Sequence, residues 1–90
     1  MEEGFEKPPE DTEIWGVEFG RLATRIEFDV YSEATDFATE VFELAEEEGY
    51  YPEVLVSGES VEIDIERDSG ARGVEVARQI EDRLKNLDLE

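Results

Sequence analysis

The sequence predicts an α+β domain in which a four-stranded antiparallel sheet carries two helices on one face, in the chain order ββαββα. Three observations predict it. Apolar residues alternate with polar ones in three of four short segments, they recur at helical spacing in two longer segments, and the segments follow one another as strand, strand, helix, twice over. A sheet with one apolar face buries that face when both helices pack against it.

The first 13 residues differ in composition from the rest of the chain. Residues 1–13 carry six acidic residues, Lys7 and a Pro-Pro pair, and their few apolar residues show no period. We therefore expect a flexible acidic arm, followed by a single domain over residues 14–88.

Two strands with alternating apolar residues open the predicted domain. The first contains Trp15, Val17 and Phe19, and a short turn at Gly20-Arg21 follows it. The second alternates apolar and charged residues, so the two strands are expected to pair as a hairpin. The inward residues of the second strand are Thr24, Ile26, Phe28 and Val30.

A helix with one apolar side follows the hairpin. Ser32 is a favourable N-cap residue, and Glu33 and Asp36 fall in the first turn, where the helix dipole favours acidic side chains. Gly49 can adopt the left-handed conformation that ends a helix, and Pro52 cannot continue one. The side expected to face the core carries Ala34, Phe37, Ala38, Val41, Phe42, Leu44 and Ala45, and the opposite side carries Glu40, Glu43 and Glu47.

Two more strands and a second helix complete the pattern. Residues 53–56 and 61–66 are the predicted strands, joined by a turn that contains Ser57-Gly58. Residues 70–73 form a predicted loop because they contain two glycines. The last helix has basic residues in its C-terminal half, where the helix dipole favours cations. Its expected inward residues are Val74, Ala77, Ile80, Leu84 and Leu87, and its basic residues are Arg78, Arg83 and Lys85.

The composition excludes many kinds of function. The chain has 8 basic and 27 acidic residues, a net charge of −19, and neither histidine nor cysteine. It therefore has no disulfide, no Cys/His zinc site and no nucleophile or base of either type, and we expect no bound metal ion or cofactor. The negative charge disfavours nucleic acid and anionic membranes as partners. No apolar run approaches the ~20 residues of a membrane span and the N-terminus lacks the charge of a signal peptide, so we expect a cytoplasmic protein.

The same charge predicts a salt-rich environment. A folded domain at −19 repels itself, and about 1 M salt shortens the range of that repulsion to about 3 Å. An acid-rich, lysine-poor composition is expected of a protein from a halophilic archaeon. The alternative is an acidic protein from an ordinary cell.

The order of residues along these elements resembles that of the pterin-4a-carbinolamine dehydratases. Members of that family have a tryptophan on the first strand, an alternating L-x-R-x-F-x-F strand and an F-x-x-A-x-x-F start to the helix. Their helix continues into V-A-x-x-A-E-x-x-x-H-H-P-[DE]-[IV], to which residues 41–54 correspond without a gap. The other residues that carry the resemblance are Trp15, Leu22, Thr24, Ile26, Phe28, Tyr31, Ala34 and Phe37, and then Val61, Ile63, Ile65, Ala77, Ile80 and Glu81.

The resemblance implies the same fold, a dehydratase activity and a pterin pocket. In the family, histidines exchange protons with the 4a-hydroxyl group and a ring nitrogen, a task that suits imidazole because its pKa lies near neutrality. The two adjacent histidines of the family correspond here to Tyr50 and Tyr51, and the third corresponds to Asp68, whereas Glu46 and Pro52 match the family signature. These five residues are the candidate pterin-pocket residues, and no catalytic residue is assigned.

Each candidate also has a purely structural interpretation. The two tyrosines offer flat faces and hydroxyl groups to a pterin ring, or they fill the space that the imidazoles left. Glu46 lies on the flank of the helix next to Phe42, but it is also one of three consecutive glutamates of a solvated face. Asp68 is a common type of turn residue, and Trp15 is expected to anchor the core.

Four acidic residues fall at positions 1, 3, 5 and 12 of a calcium-loop pattern, but no such loop is expected. An EF-hand loop needs glycine at position 6, where this chain has Ser69, and it follows a helix, where this chain has a predicted strand. The four residues are Asp64, Glu66, Asp68 and Glu75.

Two functions of different classes remain. The first is a binding or interaction module on the dehydratase fold, which holds a pterin-like ligand or a protein partner without catalysing dehydration. The second is a divergent dehydratase that uses Glu46, Asp68 and the two tyrosines as proton donors and acceptors. The absence of histidine favours the first. We also expect a monomer or a salt-dependent homodimer, because the acidic helix face would meet another like itself.

Overall fold

The computed structural model describes residues 4–87 and contains four strands and two helices in the predicted order. The strands form one antiparallel sheet in the order β1-β2-β4-β3. The predicted α+β class with chain order ββαββα is therefore confirmed. Residues 1–3 of the predicted arm and residue 88 of the predicted domain lie outside the described residues. The elements are β1 (Gly16–Glu18), β2 (Arg21–Glu27), α1 (Tyr31–Glu48), β3 (Glu53–Ser57), β4 (Ser60–Ile65) and α2 (Gly70–Asn86).

A single apolar core lies between the sheet and the two helices. The alternation in β2 and β4 directs one set of side chains into this core, and the helical spacing in α1 and α2 supplies the other. Phe28 and Phe37 meet in it with their ring centroids 5.6 Å apart. The largest side chains that are fully buried are Phe37, Leu22, Leu44, Ile63, Ile65, Ile80, Val41, Val61 and Val76.

The N-cap of α1 differs from the prediction, and its C-cap agrees with it. The helix begins at Tyr31, with the extended residue Val30 in the N-cap position and no side-chain cap bond, so the prediction of Ser32 as N-cap is wrong. Gly49 ends the helix at φ +70°, and its amide donates to the carbonyl oxygen of Ala45, as the sequence predicts.

The β1–β2 hairpin has a tighter turn than the sequence predicts. Glu18 pairs with Arg21, which leaves only Phe19 and Gly20 as the turn, both with positive φ. Phe19 is therefore not an inward strand residue, and Arg21 begins β2 instead of closing the turn. Val30 is also not an inward strand residue, since β2 ends at Glu27 and Val30 is exposed.

For the second helix, the predicted loop is wrong and the predicted set of inward residues is right except for Val74. The predicted loop at residues 70–73 is the first turn of α2, which begins at Gly70. Gly73 is buried there against Ile65 and Ser69, and this contact fixes which side of the helix faces the sheet. Leu84 and Leu87 are half-buried and pack against the core, whereas Val74 does not belong to it. The buried residues of α2 are Gly73, Val76, Ala77, Ile80 and Glu81.

The described part of the acidic segment lies against the domain. Residues 4–13 contain no helix or strand, yet Phe5 packs against the core and its amide donates to the carbonyl oxygen of Gly20 at 2.8 Å. Asp11 is bound by Arg78 of α2 at 2.7 Å. These contacts favour an ordered segment over residues 4–13, whereas the flexible arm remains a prediction for solution measurements.

Candidate functional site

A groove of about 480 Å³ lies between the C-terminal half of α1 and the segment that leads into β3. The helix supplies one wall because its residues recur at the spacing of one face. The chain that leaves Gly49 supplies the other wall, since Pro52 cannot continue the helix and directs the chain into the edge strand β3. The residues that line the groove are Thr39, Val41, Phe42, Glu43, Ala45, Glu46, Tyr51, Pro52 and Val54.

Two exposed aromatic side chains line the apolar part of the groove. Phe42 of α1 is 52% exposed and Tyr51 is 68% exposed. Val54 of β3 and Ala45 of α1 extend the apolar surface between them. Exposed aromatic rings beside an apolar floor are suited to contact a flat ring from its faces or edges.

Two carboxylates belong to the same groove. Glu43 and Glu46 stand three positions apart on α1, so they lie on neighbouring turns of one face, and both are exposed. No basic residue lines the groove within the described chain. The groove is therefore apolar with an anionic border, and its carboxylates can accept hydrogen bonds from N–H groups of a ligand.

Three of the five candidate residues lie together in this groove, namely Glu46, Tyr51 and Pro52. Tyr50 points elsewhere, since it packs against the core and its Oη accepts a hydrogen bond from the backbone amide of Glu66 at 3.0 Å. Asp68 is exposed in the turn between β4 and α2 and does not line the groove. The five positions are thus divided between the groove and the neighbouring end of the sheet.

The turn that holds Asp68 is tied to the end of α1. Glu66 binds the Tyr50 hydroxyl group, and the guanidinium group of Arg72 donates to the carbonyl oxygen of Glu48. Ser69 closes the turn by donating from its hydroxyl group to the carbonyl oxygen of Glu66 at 2.7 Å. Both parts of the candidate site therefore belong to one end of the molecule.

Sequence reasoning missed Phe42 as a groove residue because it counted this side chain among the core. Phe42 follows the buried Val41 directly, and one residue turns a helix by about 100°. Its position at the margin of the apolar stripe was the signal that could have placed it on the flank. Val54, which the sequence places in a strand and at the end of the family segment, also lines this groove.

Trp15 takes the structural role that the sequence indicates. It is buried, and its Nε1 donates to the carbonyl oxygen of Ala77 at 3.0 Å, which joins the start of β1 to α2. It does not line the groove.

Among residues 4–87 no group of three or more acidic side chains is arranged to hold a metal ion, and this includes the calcium-loop residues Asp64, Glu66, Asp68 and Glu75. No helix of the described chain combines the length and the apolar character that crossing a membrane would require.

One family model matches this chain, and one solved structure has a similar fold. The family model described as "Pterin 4 alpha carbinolamine dehydratase" matches residues 3–83. A solved structure described as a transcriptional coactivator/pterin dehydratase from Brucella melitensis has a similar fold, with a TM-score of 0.70. The two sequences are 19% identical, and the match covers 77% of this chain and 80% of that one. No curated protein matches the chain.

Proposed function

We propose, because the chain belongs to the pterin 4 alpha carbinolamine dehydratase family, that it binds a pterin-like ring in the groove between α1 and β3 without dehydrating it. The ring would lie against Phe42 and Tyr51, and its N–H groups would face Glu43 and Glu46. We further propose that this takes place in a salt-rich cytoplasm, which the net charge of −19 supports.

The observation that carries this proposal is the division of the candidate residues. A dehydratase must place proton donors and acceptors around one substrate. Here Glu46 and Tyr51 lie in the groove, the hydroxyl group of Tyr50 is engaged by Glu66, and Asp68 does not line the groove. The chain also contains no histidine, the side chain best suited to exchange protons near neutral pH. The groove therefore has apolar surfaces that suit a flat ring, and only some of the groups that could donate or accept protons line it.

A calorimetric titration with a stable dihydropterin, in about 2 M KCl to screen the repulsion between the carboxylates, tests the proposal. Fluorescence of Trp15 is a poor reporter because this side chain is buried outside the groove. We expect heat of binding for the unmodified protein and a Kd raised about tenfold or more by Phe42→Ala, since loss of a stacked ring costs roughly 1–3 kcal/mol.

Leu55→Ala is the matched control, because Leu55 is 57% exposed, close to Phe42 in exposure, and does not line the groove. It should leave the Kd unchanged. Absence of binding by the unmodified protein, or equal losses in the two variants, would contradict the proposal.

A second function is favoured by one observation. The hydrogen bond between Tyr50 and Glu66 holds the turn with Asp68 at the same end of the molecule as the groove. A substrate that spanned both parts would meet carboxylates and phenols on two sides. This arrangement supports the alternative of a divergent 4a-hydroxytetrahydrobiopterin dehydratase that uses Glu46, Asp68 and the tyrosines as acid and base groups. Turnover of the carbinolamine distinguishes it from a binding module.

A further inference from the structure

The two carboxylates that border the groove between α1 and β3 have no cationic partner among residues 4–87. Glu43 and Glu46 are exposed, and neither belongs to any ion pair of the described chain. The same helix carries Glu40 and Glu47, and Arg83 of α2 binds both, at 3.0 and 3.1 Å. Arg83 therefore neutralises carboxylates only on the side of α1 next to α2, and the groove side keeps its negative charge.

The basic side chains of the chain are engaged outside the groove. All eight lie among the described residues, and none of them lines the groove. Each has a partner elsewhere, such as the carboxylate of Asp64 for Arg21 and the carbonyl oxygen of Glu48 for Arg72. A negatively charged group in the groove would thus meet two carboxylates and no compensating cation. The eight basic residues are Lys7, Arg21, Arg25, Arg67, Arg72, Arg78, Arg83 and Lys85.

A ring bound in this groove holds its substituent near both carboxylates. Glu43 and Glu46 stand three positions apart, which is about 4.5 Å along the helix axis. A ring that contacts Phe42 lies beside Glu46, because that residue follows Phe42 by one helical turn. An anionic group that leaves water to lie beside like charges is disfavoured, whereas an ammonium group forms an ion pair there. The charge of the substituent should therefore change the affinity.

We propose, resting on the proposed binding of a pterin-like ring, that Glu43 and Glu46 select among pterins by charge. The groove takes a pterin whose substituent is uncharged or cationic, and it excludes one whose substituent carries a carboxylate or phosphate group. The net charge of −19 acts in the same direction at long range, and the two groove carboxylates act at short range. Glu43 is not among the five positions that the family signature identifies, so the alignment alone does not indicate this selectivity.

Calorimetric titration with three 7,8-dihydropterins tests the selectivity. They carry a hydroxymethyl, a carboxylate or an aminomethyl group at C6, so the ring stays the same while the substituent is uncharged, anionic or cationic at neutral pH. The titrations use the lowest KCl concentration at which the CD spectrum matches that in about 2 M KCl. Relative to the hydroxymethyl compound, we expect a Kd about fivefold or more higher for the carboxylate and about fivefold or more lower for the aminomethyl compound. Both ratios should move towards one in about 2 M KCl, since salt screens the charges.

A pair of double variants separates the groove carboxylates from the net charge. Glu43→Gln with Glu46→Gln should bring both Kd ratios close to one, and a ratio cancels any loss of affinity that the three ligands share. Asp36→Asn with Glu59→Gln is the matched control, because it removes the same charge from two exposed residues that do not line the groove, and it should keep both ratios.

The outcomes also distinguish this selectivity from the proposed function on which it rests. Equal Kd values for the three ligands, or equal changes of the ratios in the two double variants, would overturn the selectivity while the proposed pterin binding stands. If none of the three dihydropterins binds, the proposed function and the selectivity are overturned together.

Discussion

The carboxylate of Glu81 accepts hydrogen bonds from the backbone amide of Glu13 through both of its oxygens, each at 2.9 Å. The amide of Ile14 donates to the same carboxylate at 3.2 Å, and Lys85 lies 3.3 Å from it. Glu81 is 2% exposed, so this acidic side chain lies inside the domain with its oxygens satisfied. It fastens the segment before β1 to α2.

Glu81→Gln should lower the free energy of unfolding by about 1.5–3 kcal/mol, the usual contribution of a hydrogen bond to a charged group. The amide nitrogen of glutamine cannot accept the Glu13 hydrogen, so one donor would face another. Urea denaturation in high salt measures the change, and hydrogen exchange at the Glu13 amide should become faster. Asp82→Asn removes a neighbouring exposed charge and should have little effect. Equal effects of the two variants would contradict the role of Glu81.

The ion pair between Asp11 and Arg78 predicts a pH-dependent contact. The hydrogen bond from Arg78 lowers the pKa of the Asp11 carboxyl group below its ordinary value of 3.8. A carboxyl group with a lower pKa in the folded state contributes stability above its unfolded pKa and loses that contribution as the pH falls through the folded value. NMR titration should therefore place the Asp11 midpoint below that of an unpaired aspartate, and Arg78→Gln should raise it. An unchanged midpoint in that variant would show that the pair does not form in solution.

Salt should raise the melting temperature between about 0.1 M and 2 M KCl, because screening weakens repulsion among 27 acidic residues. Arg83 provides an internal comparison, since it binds Glu40 at 3.0 Å and Glu47 at 3.1 Å and so joins α2 to α1. Arg83→Gln should be destabilising at low salt, and the difference from the unmodified protein should shrink as salt screens these pairs. A melting temperature that does not change with salt would contradict the repulsion argument.

Gly73→Ala should destabilise the protein, although alanine in a helix is ordinarily more favourable than glycine by roughly 1 kcal/mol. A β-carbon at this position would overlap Ser69 and would come within 2.9 Å of the Ile65 Cγ2 atom. Because Ile65 is buried in the sheet, the helix must shift, which typically costs about 1–3 kcal/mol. Thermal denaturation measures the loss. Gly16→Ala is the control, because the nearest atom to its added carbon lies 4.0 Å away.

The sequence predicts the arrangement of the fold well because periodicity reports which face of an element is buried. It fails where tertiary contacts decide. Two glycines within residues 70–73 suggest a loop, and only the packing of Gly73 of α2 against Ile65 of β4 shows why a glycine stands inside the first turn of a helix. The local sequence does not show that Glu81 is buried, because the backbone amides that it binds lie 67 and 68 positions away. Phe42 is the exception, because helical geometry places it about 100° from the buried Val41 and so at the margin of the apolar stripe.

The geometry of the candidate site residues likewise depends on tertiary contacts that the sequence does not show. Their alignment with a family signature identifies five positions but not their geometry. The structure brings three of them into one groove, whereas the hydroxyl oxygen of Tyr50 accepts a hydrogen bond from the backbone amide of Glu66. That bond depends on the register of β3 against β4, which the pattern of residues does not specify closely enough.

Imidazoles introduced at the positions of the family histidines should raise the dehydratase activity of this chain above that of the unmodified protein. We expect the unmodified chain, assayed with 4a-hydroxytetrahydropterin in high salt, to match the buffer rate, because it has no histidine to exchange protons. The combined variant Tyr50→His, Tyr51→His and Asp68→His should raise turnover, by up to about 10²–10⁴-fold for a well-placed acid or base.

The dehydration rate should depend on where the new imidazoles lie and not simply on their presence. Tyr31→His is the matched control, because Tyr31 is an exposed tyrosine at the start of α1 that does not line the groove. It should leave the rate at the buffer value. Tyr51→His alone should recover part of the gain, since Tyr51 already lines the groove, whereas Asp68→His alone should recover little. Robust turnover by the unmodified protein, abolished by Glu46→Gln, would contradict this prediction. It would establish the carboxylate-based dehydratase, because a groove carboxylate would then exchange the protons without an imidazole.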